Sequence, residues 1–234
     1  MGNKTAVRRL VDLLMTVVLV LLMAYFLTDQ EIHEWLGAGM LVLFIAHHIL
    51  NRKWLKALGR GKYTPCRVLQ TALALLVLLC MLGSMLSGIW MSRYVFDFLP
   101  TRGHMGLART AHLLCAYWGF LLLPAHLGLH WGSLLGVVRK AAGNRGPSAL
   151  RTTVLRGLTA GISACGVYAF IRHRIADYLF LRSHFVFFDY EQPPVLYVLD
   201  LLAMMGLWIA VSHYLGKALQ RRAGRKLRRK GEHP

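Results

Sequence analysis

Four of the eleven histidines in the chain occur as two pairs with the same spacing. His33 and His47 lie 14 residues apart, and so do His112 and His126. An α-helix turns about 100° per residue, so 14 residues complete four turns less about 40°, and the members of a pair share one face. With a rise of about 1.5 Å per residue, they are separated by about 21 Å along the axis. Each pair can therefore present imidazoles at two depths of one helix.

The two pairs lie in apolar segments that are separated by one further apolar segment. Two membrane helices with one helix between them in the chain run in the same direction, so His33 aligns in depth with His112, and His47 aligns with His126. Helical bundles build cofactor sites from side chains on facing helices, and imidazole is a common ligand of haem iron. The spacing predicts two bis-histidine haems, one ligated by His33 and His112, the other by His47 and His126.

Three further residues are candidates for contact with these haems. Gly119 lies midway between the two histidines of its segment, where a porphyrin needs a close approach of the backbone, and Gly37 follows His33 by about one turn. Arg109 precedes His112 by about one turn and is placed to neutralise a haem propionate. Small residues also promote helix packing in membranes, and an arginine at the end of a span also reaches the head groups. Both alternatives stay open.

Two alternatives concern the histidines themselves. A step from His33 to His48 leaves the imidazoles about 60° apart around the helix, against about 40° for His47, so the geometry favours His47 as the ligand. Zinc is the rival metal, at the adjacent His47 and His48 or at His126 and His130. The chain lacks the His-Glu-x-x-His pattern and the nearby thiolates that would support zinc.

The composition indicates where such a site would be. The chain has 234 residues, of which 56% are hydrophobic and 16% are charged, against about 25% charged in a typical soluble protein. The mean hydropathy is +0.46. A net charge of +18 suits a nucleic-acid partner, but the positive charges fall between apolar runs, so we expect no nucleic acid. The sequence predicts an all-α integral membrane protein in a lipid bilayer.

Six apolar segments approach the roughly 20 residues that are needed to cross a bilayer. No loop is long enough for a separate folded domain, so residues 1–234 are expected to form a single transmembrane domain. Thr28 and Glu31 have the spacing of a capping box, which would start the second helix early enough to include His33. The predicted transmembrane helices cover residues 10–27, 35–50, 68–90, 109–131, 154–171 and 195–215.

The positive charges also predict an orientation. Of the 28 lysines and arginines, 22 fall at the N-terminus, in the connections at 52–67 and 139–156, and from residue 217 onward. By the positive-inside rule, both termini face the cytoplasm, with His47 and His126 on that side. Residues 216–234 are expected to form a basic cytoplasmic tail, which either contacts anionic lipids or serves only as a topology signal.

Five sequence motifs, which together extend over most of the chain, resemble the flavinylation-associated cytochromes, a family of bacterial membrane proteins with predicted b-type haem. The motifs are HEWLG at 33–37, HHILNRKW at 47–54, HLLCAYWG at 112–119, HLGLHW at 126–131 and FFDYEQP at 187–193.

The resemblance implies a protein of the bacterial cytoplasmic membrane that exchanges electrons with extracytoplasmic flavoproteins, including those that carry covalent FMN. It assigns the haem role to His33, His47, His112 and His126. The electron donor would be a membrane quinol or a partner protein, because the sequence offers no NADH-oxidising domain. Whether the chain is itself an enzyme stays open. The alternative function is a haem-free membrane scaffold or transporter in which the histidines stabilise helix contacts.

Overall fold

The computed structural model describes residues 3–61, 63–100, 103–143, 146 and 148–231. Helices, turns and irregular segments make up this part of the chain, without a strand, which confirms the prediction of an all-α protein. The helices are α1 (Asn3–Met23), α2 (Gln30–Leu50), α3 (Arg52–Ala57), α4 (Pro65–Met91), α5 (Met105–Leu129), α6 (Trp131–Ala141), α7 (Ala149–Arg172), α8 (Ile175–Leu179) and α9 (Pro194–Gly231), with a 3-10 helix at Tyr25–Leu27.

Five of the described helices are long and apolar enough to cross a membrane, namely α2, α4, α5, α7 and the part of α9 from Pro194 to Ala223. They coincide with the last five predicted spans. The first predicted span also falls on a helix of 21 residues, but α1 carries Arg8, Arg9 and Asp12 and is not one of the five. The chain is therefore a multi-pass membrane protein, and the sixth span stays a prediction.

Polar residues set the helix ends near the histidines. Asp29 is the N-cap of α2, and its side chain accepts a hydrogen bond of 2.8 Å from the Ile32 N–H. The cap predicted for Thr28 is wrong by one residue, because the Thr28 hydroxyl instead donates to the Tyr25 carbonyl, at 3.3 Å. The early start of α2 is confirmed, since the helix includes His33.

Two other helix ends differ from the prediction. Helix α5 ends at Leu129 and α6 begins at Trp131, so His130 lies at a break inside the span predicted for 109–131. Helix α9 continues to Gly231, so most of the basic tail predicted for 216–234 is an extension of the last helix. Residues 232–234 of that tail lie outside the described residues.

The first of two compact units comprises Met1–Gly61, Leu79–Phe120 and Ile175–Leu201. In this unit α1 and α2 pack against each other, and the Arg8 guanidinium donates to the Leu50 carbonyl at 2.7 Å. Helix α4 approaches α5 at Gly83, where a Cβ would collide with the Sγ of Cys115. These contacts pair α1 with α2 and α4 with α5 in the unit that contains His33 and His112.

The second unit comprises Lys62–Leu78, Leu121–Arg174 and Leu202–Pro234. Gly128 on α5 lies against Ser212 and Ile209 of α9, and Gly166 on α7 lies against the Ala203 carbonyl of α9. Close approach at glycine is a common way for membrane helices to pack. In this unit α9 is thus the common neighbour of α5 and α7.

Candidate functional site

His33 and His112 face each other in the first unit. Their ring centroids are 6.2 Å apart, and the ring planes are inclined by 70°. Two imidazoles that each place a nitrogen about 2 Å from a metal between them have centroids about 6 Å apart. The two residues come from α2 and α5 and lie 79 positions apart in the chain, and the spacing of the histidine pairs predicts that they meet.

The ring of His112 is oriented by helix α4. Its Nδ1 lies 2.9 Å from the Ser84 carbonyl oxygen and 3.2 Å from the Ser87 hydroxyl oxygen. A Cβ at Gly88 would lie only 3.4 Å from the His112 Cε1, so the helix backbone passes close to the ring. A carbonyl can only accept, so Nδ1 carries the proton and donates, and the lone pair is left on Nε2. Metal-ligating histidines are typically held in this way.

The ring of His33 has a different environment. The edge of Tyr25 packs on it with a centroid separation of 4.9 Å. Its Nδ1 is buried and has no hydrogen-bond partner among the described residues. A buried polar nitrogen without a partner is costly, which makes this atom a candidate to bind a further group. His33 and His112 are thus the two residues that would hold a haem iron at this site.

Glu34, next to His33, joins the start of α2 to the segment that follows α4. Its carboxylate accepts hydrogen bonds from the Ser92 hydroxyl at 2.7 Å and from the Gln30 amide at 3.0 Å. It also accepts from the backbone N–H groups of residues 93–95, at 2.9 to 3.2 Å. These bonds fix α2 relative to α4, which carries the hydroxyl and carbonyl groups that orient His112.

His47 lies at the other end of α2, with an acidic partner. Its Nδ1 is 2.8 Å from the Asp12 Oδ1 on α1. The Asn51 amide lies one turn further and donates to the His47 carbonyl at 2.9 Å. A carboxylate that accepts from one ring nitrogen leaves the other nitrogen as a ligand and makes it more basic. His47 therefore has the local arrangement of a metal-binding histidine.

His48 is held by its own helix. Its Nδ1 lies 2.9 Å from the Phe44 carbonyl oxygen, and its ring packs on the Phe44 ring with a centroid separation of 4.2 Å. The His48 ring therefore bonds to the backbone of the preceding turn of α2, a contact that a histidine in any helix can make. Only His47 of the two is therefore held by a side chain of another helix, and the choice between them stays a prediction.

His126 lies in the second unit, where its ring is 5.1 Å from that of His130. Pro124, two residues earlier, removes one backbone hydrogen bond from α5 between His112 and His126. His47 belongs to the first unit, so its pairing with His126 stays a prediction.

The three other predicted haem contacts, Gly37, Gly119 and Arg109, differ in what lies next to them. A Cβ at Gly37 would have no neighbour within 4 Å, whereas one at Gly119 would meet the Cβ of Cys80 at an ordinary 3.6 Å. The guanidinium carbon of Arg109 lies 4.8 Å from the centre of the Phe185 ring. Gly37 therefore faces open space, Gly119 packs on α4, and Arg109 stacks on an aromatic ring.

Three residues that orient these histidines were not among the predicted site residues, namely Asp12, Ser84 and Ser87. Asp12 could have been recognised from the sequence, because an acid in an apolar run is costly unless it has a partner or a function. The two serines are spaced for one face of α4, but their partner could not be read from the sequence. Only the packing of α4 on α5 brings them to His112.

The described residues contain no group of three or more histidine, cysteine, aspartate or glutamate side chains that could hold a metal ion. No protein-family model, curated protein or solved structure matches this chain.

Proposed function

We propose that this chain is a membrane b-type cytochrome that carries two haems and moves electrons across the bilayer. The observation that carries the proposal is the facing pair of His33 and His112, with the His112 proton held on Nδ1 by the Ser84 carbonyl. The four histidines on α2 and α5 would hold the haems, with His47 and His126 as the second ligand pair. Haem iron supplies one-electron exchange when it is bound.

The residues of the chain contribute position and orientation. Ser84 and Ser87 fix the tautomer of His112, Asp12 fixes that of His47, and Glu34 holds α2 beside α4. The apolar helices would lower the dielectric around a bound haem, which would also tune its redox potential. Gly37, Gly119 and Arg109 are proposed contacts of the porphyrin or its propionates.

The setting of the proposed reaction follows from the distribution of charge and from the resemblance to flavinylation-associated cytochromes. We call the proposed haem site at His33 and His112 the His33 level, and the one at His47 and His126 the His47 level. With both termini in the cytoplasm of a bacterial cell, the His33 level would lie near the outer face of the cytoplasmic membrane. Electrons would come from membrane quinol or a partner protein and leave to an extracytoplasmic flavoprotein that carries FMN. The outer segment 184–194 is the proposed docking region.

The full chain, purified in detergent after expression with sufficient haem, tests the proposal. A reduced-minus-oxidised absorption spectrum should show low-spin b-type haem, and pyridine haemochrome analysis should give about two haems per chain. His33→Ala and His112→Ala should each lower this ratio to about one, because they share one haem.

His184→Ala serves as the matched control, because this exposed histidine has no predicted partner. It should keep both haems. A folded protein that binds no haem would contradict the cytochrome function and favour the haem-free scaffold or transporter. A ratio of one in the unaltered chain, lost in His33→Ala, would restrict the proposal to a single level.

A further inference from the structure

His47 and His112 donate hydrogen bonds from the same ring atom to acceptors of different charge. The Nδ1 of His47 lies 2.8 Å from the carboxylate of Asp12, and the Nδ1 of His112 lies 2.9 Å from the carbonyl of Ser84. Both contacts belong to the first unit. Their lengths are nearly equal, but the acceptor of His47 is a carboxylate on another helix and the acceptor of His112 is a neutral carbonyl.

The charge of the acceptor affects the electron donation of the imidazole. A carboxylate draws the Nδ1 proton and makes Nε2 a stronger donor to a metal than a neutral carbonyl does. Oxidised iron carries one more positive charge than reduced iron, so a stronger donor and a nearby negative charge both favour the oxidised form. Hydrogen bonds around the ligands are one of the means by which a protein sets a haem potential.

Charged groups near the His33 level do not reverse this difference. Glu34 adjoins His33, but its carboxylate accepts hydrogen bonds from Ser92, Gln30 and the backbone of residues 93–95, whose positive ends offset its charge. Arg109, one turn before His112, adds a positive charge on that side. The His47 level is thus the one with a carboxylate bound directly to a proposed ligand.

We propose that Asp12 lowers the reduction potential of the haem ligated by His47 below that of the haem ligated by His33 and His112. This inference rests on the proposed function. The potential difference directs electrons from the His47 level to the His33 level. Asp12 is a positioning residue in this account, since it acts through His47.

The transfer conserves electrons and needs no proton. With haem bound, the site at His47 would lose one electron, and the site at His33 and His112 would gain it. The electron that restores the first site comes from the quinol or protein donor named above. The electron at the second site leaves to a flavin acceptor.

An anaerobic redox titration of the purified full chain, followed at the haem absorption bands, measures both potentials. The haem that is absent from His112→Ala identifies the His33 level. Asp12→Asn keeps the size of the side chain and removes its charge, so the lower potential should rise and the higher one should stay. The Asp12 side chain is 51% exposed, so solvent screens part of its charge. We expect a tenfold change in the reduction equilibrium, about 59 mV for one electron.

Asp12→Glu and Ser87→Ala are the controls. Asp12→Glu retains a carboxylate on α1 and should restore much of the low potential. Ser87→Ala removes a neutral group 3.2 Å from His112 and should leave the His47 level unchanged. If the Asp12→Asn protein cannot be purified, the haem potentials of the unaltered chain and of Asp12→Glu still test whether the His47 level has the lower potential.

Three results would overturn the inference while the cytochrome function stood. These are a higher potential at the His47 level in the unaltered chain, no shift in Asp12→Asn, and an equal shift of both haems. A chain without haem would instead contradict the proposed function itself.

Discussion

Single hydrogen bonds distinguish adjacent histidines that the helical repeat barely separates. The Nδ1 of His47 bonds to a carboxylate on another helix, whereas the Nδ1 of His48 bonds to the backbone of its own turn. An imidazole that is held by a different helix keeps its orientation independently of local fraying. This difference favours His47 as the ligand more strongly than a 20° difference in helical phase does.

The choice between these histidines gives the first prediction. His47→Ala should remove one haem and leave the haem of the His33 level, because it deletes a proposed ligand. His48→Ala should keep both haems, because it deletes only a bond to the Phe44 carbonyl. The haem-to-protein ratio and the reduced-minus-oxidised spectrum of each variant provide the measurement. Loss of haem in His48→Ala, with retention in His47→Ala, would show that the assignment is wrong by one residue.

A second prediction concerns the carboxylate beside His33. Glu34→Ala leaves the Ser92 hydroxyl and the backbone N–H groups of 93–95 without their acceptor, which should cost roughly 2–4 kcal/mol. Once residues 92–95 are no longer bonded to residue 34, α2 should move relative to α4. This movement should weaken haem retention at the His33 level. Thermal unfolding in detergent and the haem ratio after gel filtration measure both effects.

Glu31→Ala is the matched control for Glu34→Ala, because Glu31 is an exposed acid on the same turn of α2. It should leave the unfolding temperature and the haem ratio close to those of the unaltered chain. Equal destabilisation by the two variants would mean that the charge near the helix start matters more than the bonds to residues 92–95.

At the scale of elements, the space beside each glycine distinguishes positions of α7 that pack tightly on a neighbour from positions that do not. Gly166 and Gly161 lie five residues apart on α7. A Cβ at Gly166 would collide with the Ala203 carbonyl and approach the Leu207 Cβ to 2.9 Å, whereas one at Gly161 would have no neighbour within 4 Å. The same substitution should therefore have opposite effects at the two sites.

This contrast gives the third prediction. Gly166→Ala should destabilise the protein by about 1–3 kcal/mol, because α7 must move away from α9. Gly161→Ala should be neutral or stabilising by about 0.5–1 kcal/mol, because alanine has the higher helix propensity. Reversible denaturation in mixed micelles measures both changes. A destabilising Gly161→Ala that equals Gly166→Ala would contradict the proposed contact.

The five long apolar helices could be predicted from the sequence because long apolar runs must form helices in a bilayer, whereas the short helices α3, α6 and α8 were not predicted. The pairing of His33 with His112 could be predicted for a similar reason, since both helical phase and direction through the membrane follow from the sequence. The cap at Asp29 and the break at His130 depend on backbone angles that the apolar pattern does not specify. The Asp12 contact depends on how α1 rotates against α2, which no spacing within one helix can give.

At the scale of the whole molecule, the segment before α9 presents two kinds of aromatic residue. Phe188 packs on Phe26 with ring centroids 5.5 Å apart, so it anchors the segment to the 3-10 helix after α1. Phe187 and Tyr190 are 78% and 79% exposed. The anchor leaves Phe187, Tyr190 and the acids Asp189 and Glu191 on the surface of the proposed docking region.

The fourth prediction tests this region. Asp189→Asn combined with Glu191→Gln should slow the oxidation of reduced haem by an added extracytoplasmic FMN protein, because it removes two charges that steer the encounter. Both haem spectra should stay unchanged. Stopped-flow kinetics at low and high salt provide the measurement, and Glu31→Gln controls for the general loss of one outer acid. If the double variant and the unaltered chain were oxidised at the same rate at both salt concentrations, the docking role would be contradicted and the haem assignment would stand.

The contacts between α1 and α2 also bear on the biosynthesis of the protein. Charged side chains are costly to insert into a membrane, and α1 carries Asp12 as well as Arg8 and Arg9. Asp12 can accept a hydrogen bond from the ring of His47, and Arg8 can donate one to the Leu50 carbonyl, only after α2 has been synthesised. We therefore expect α1 to wait at the membrane surface or in the translocon and to enter the lipid with α2 as a helical hairpin.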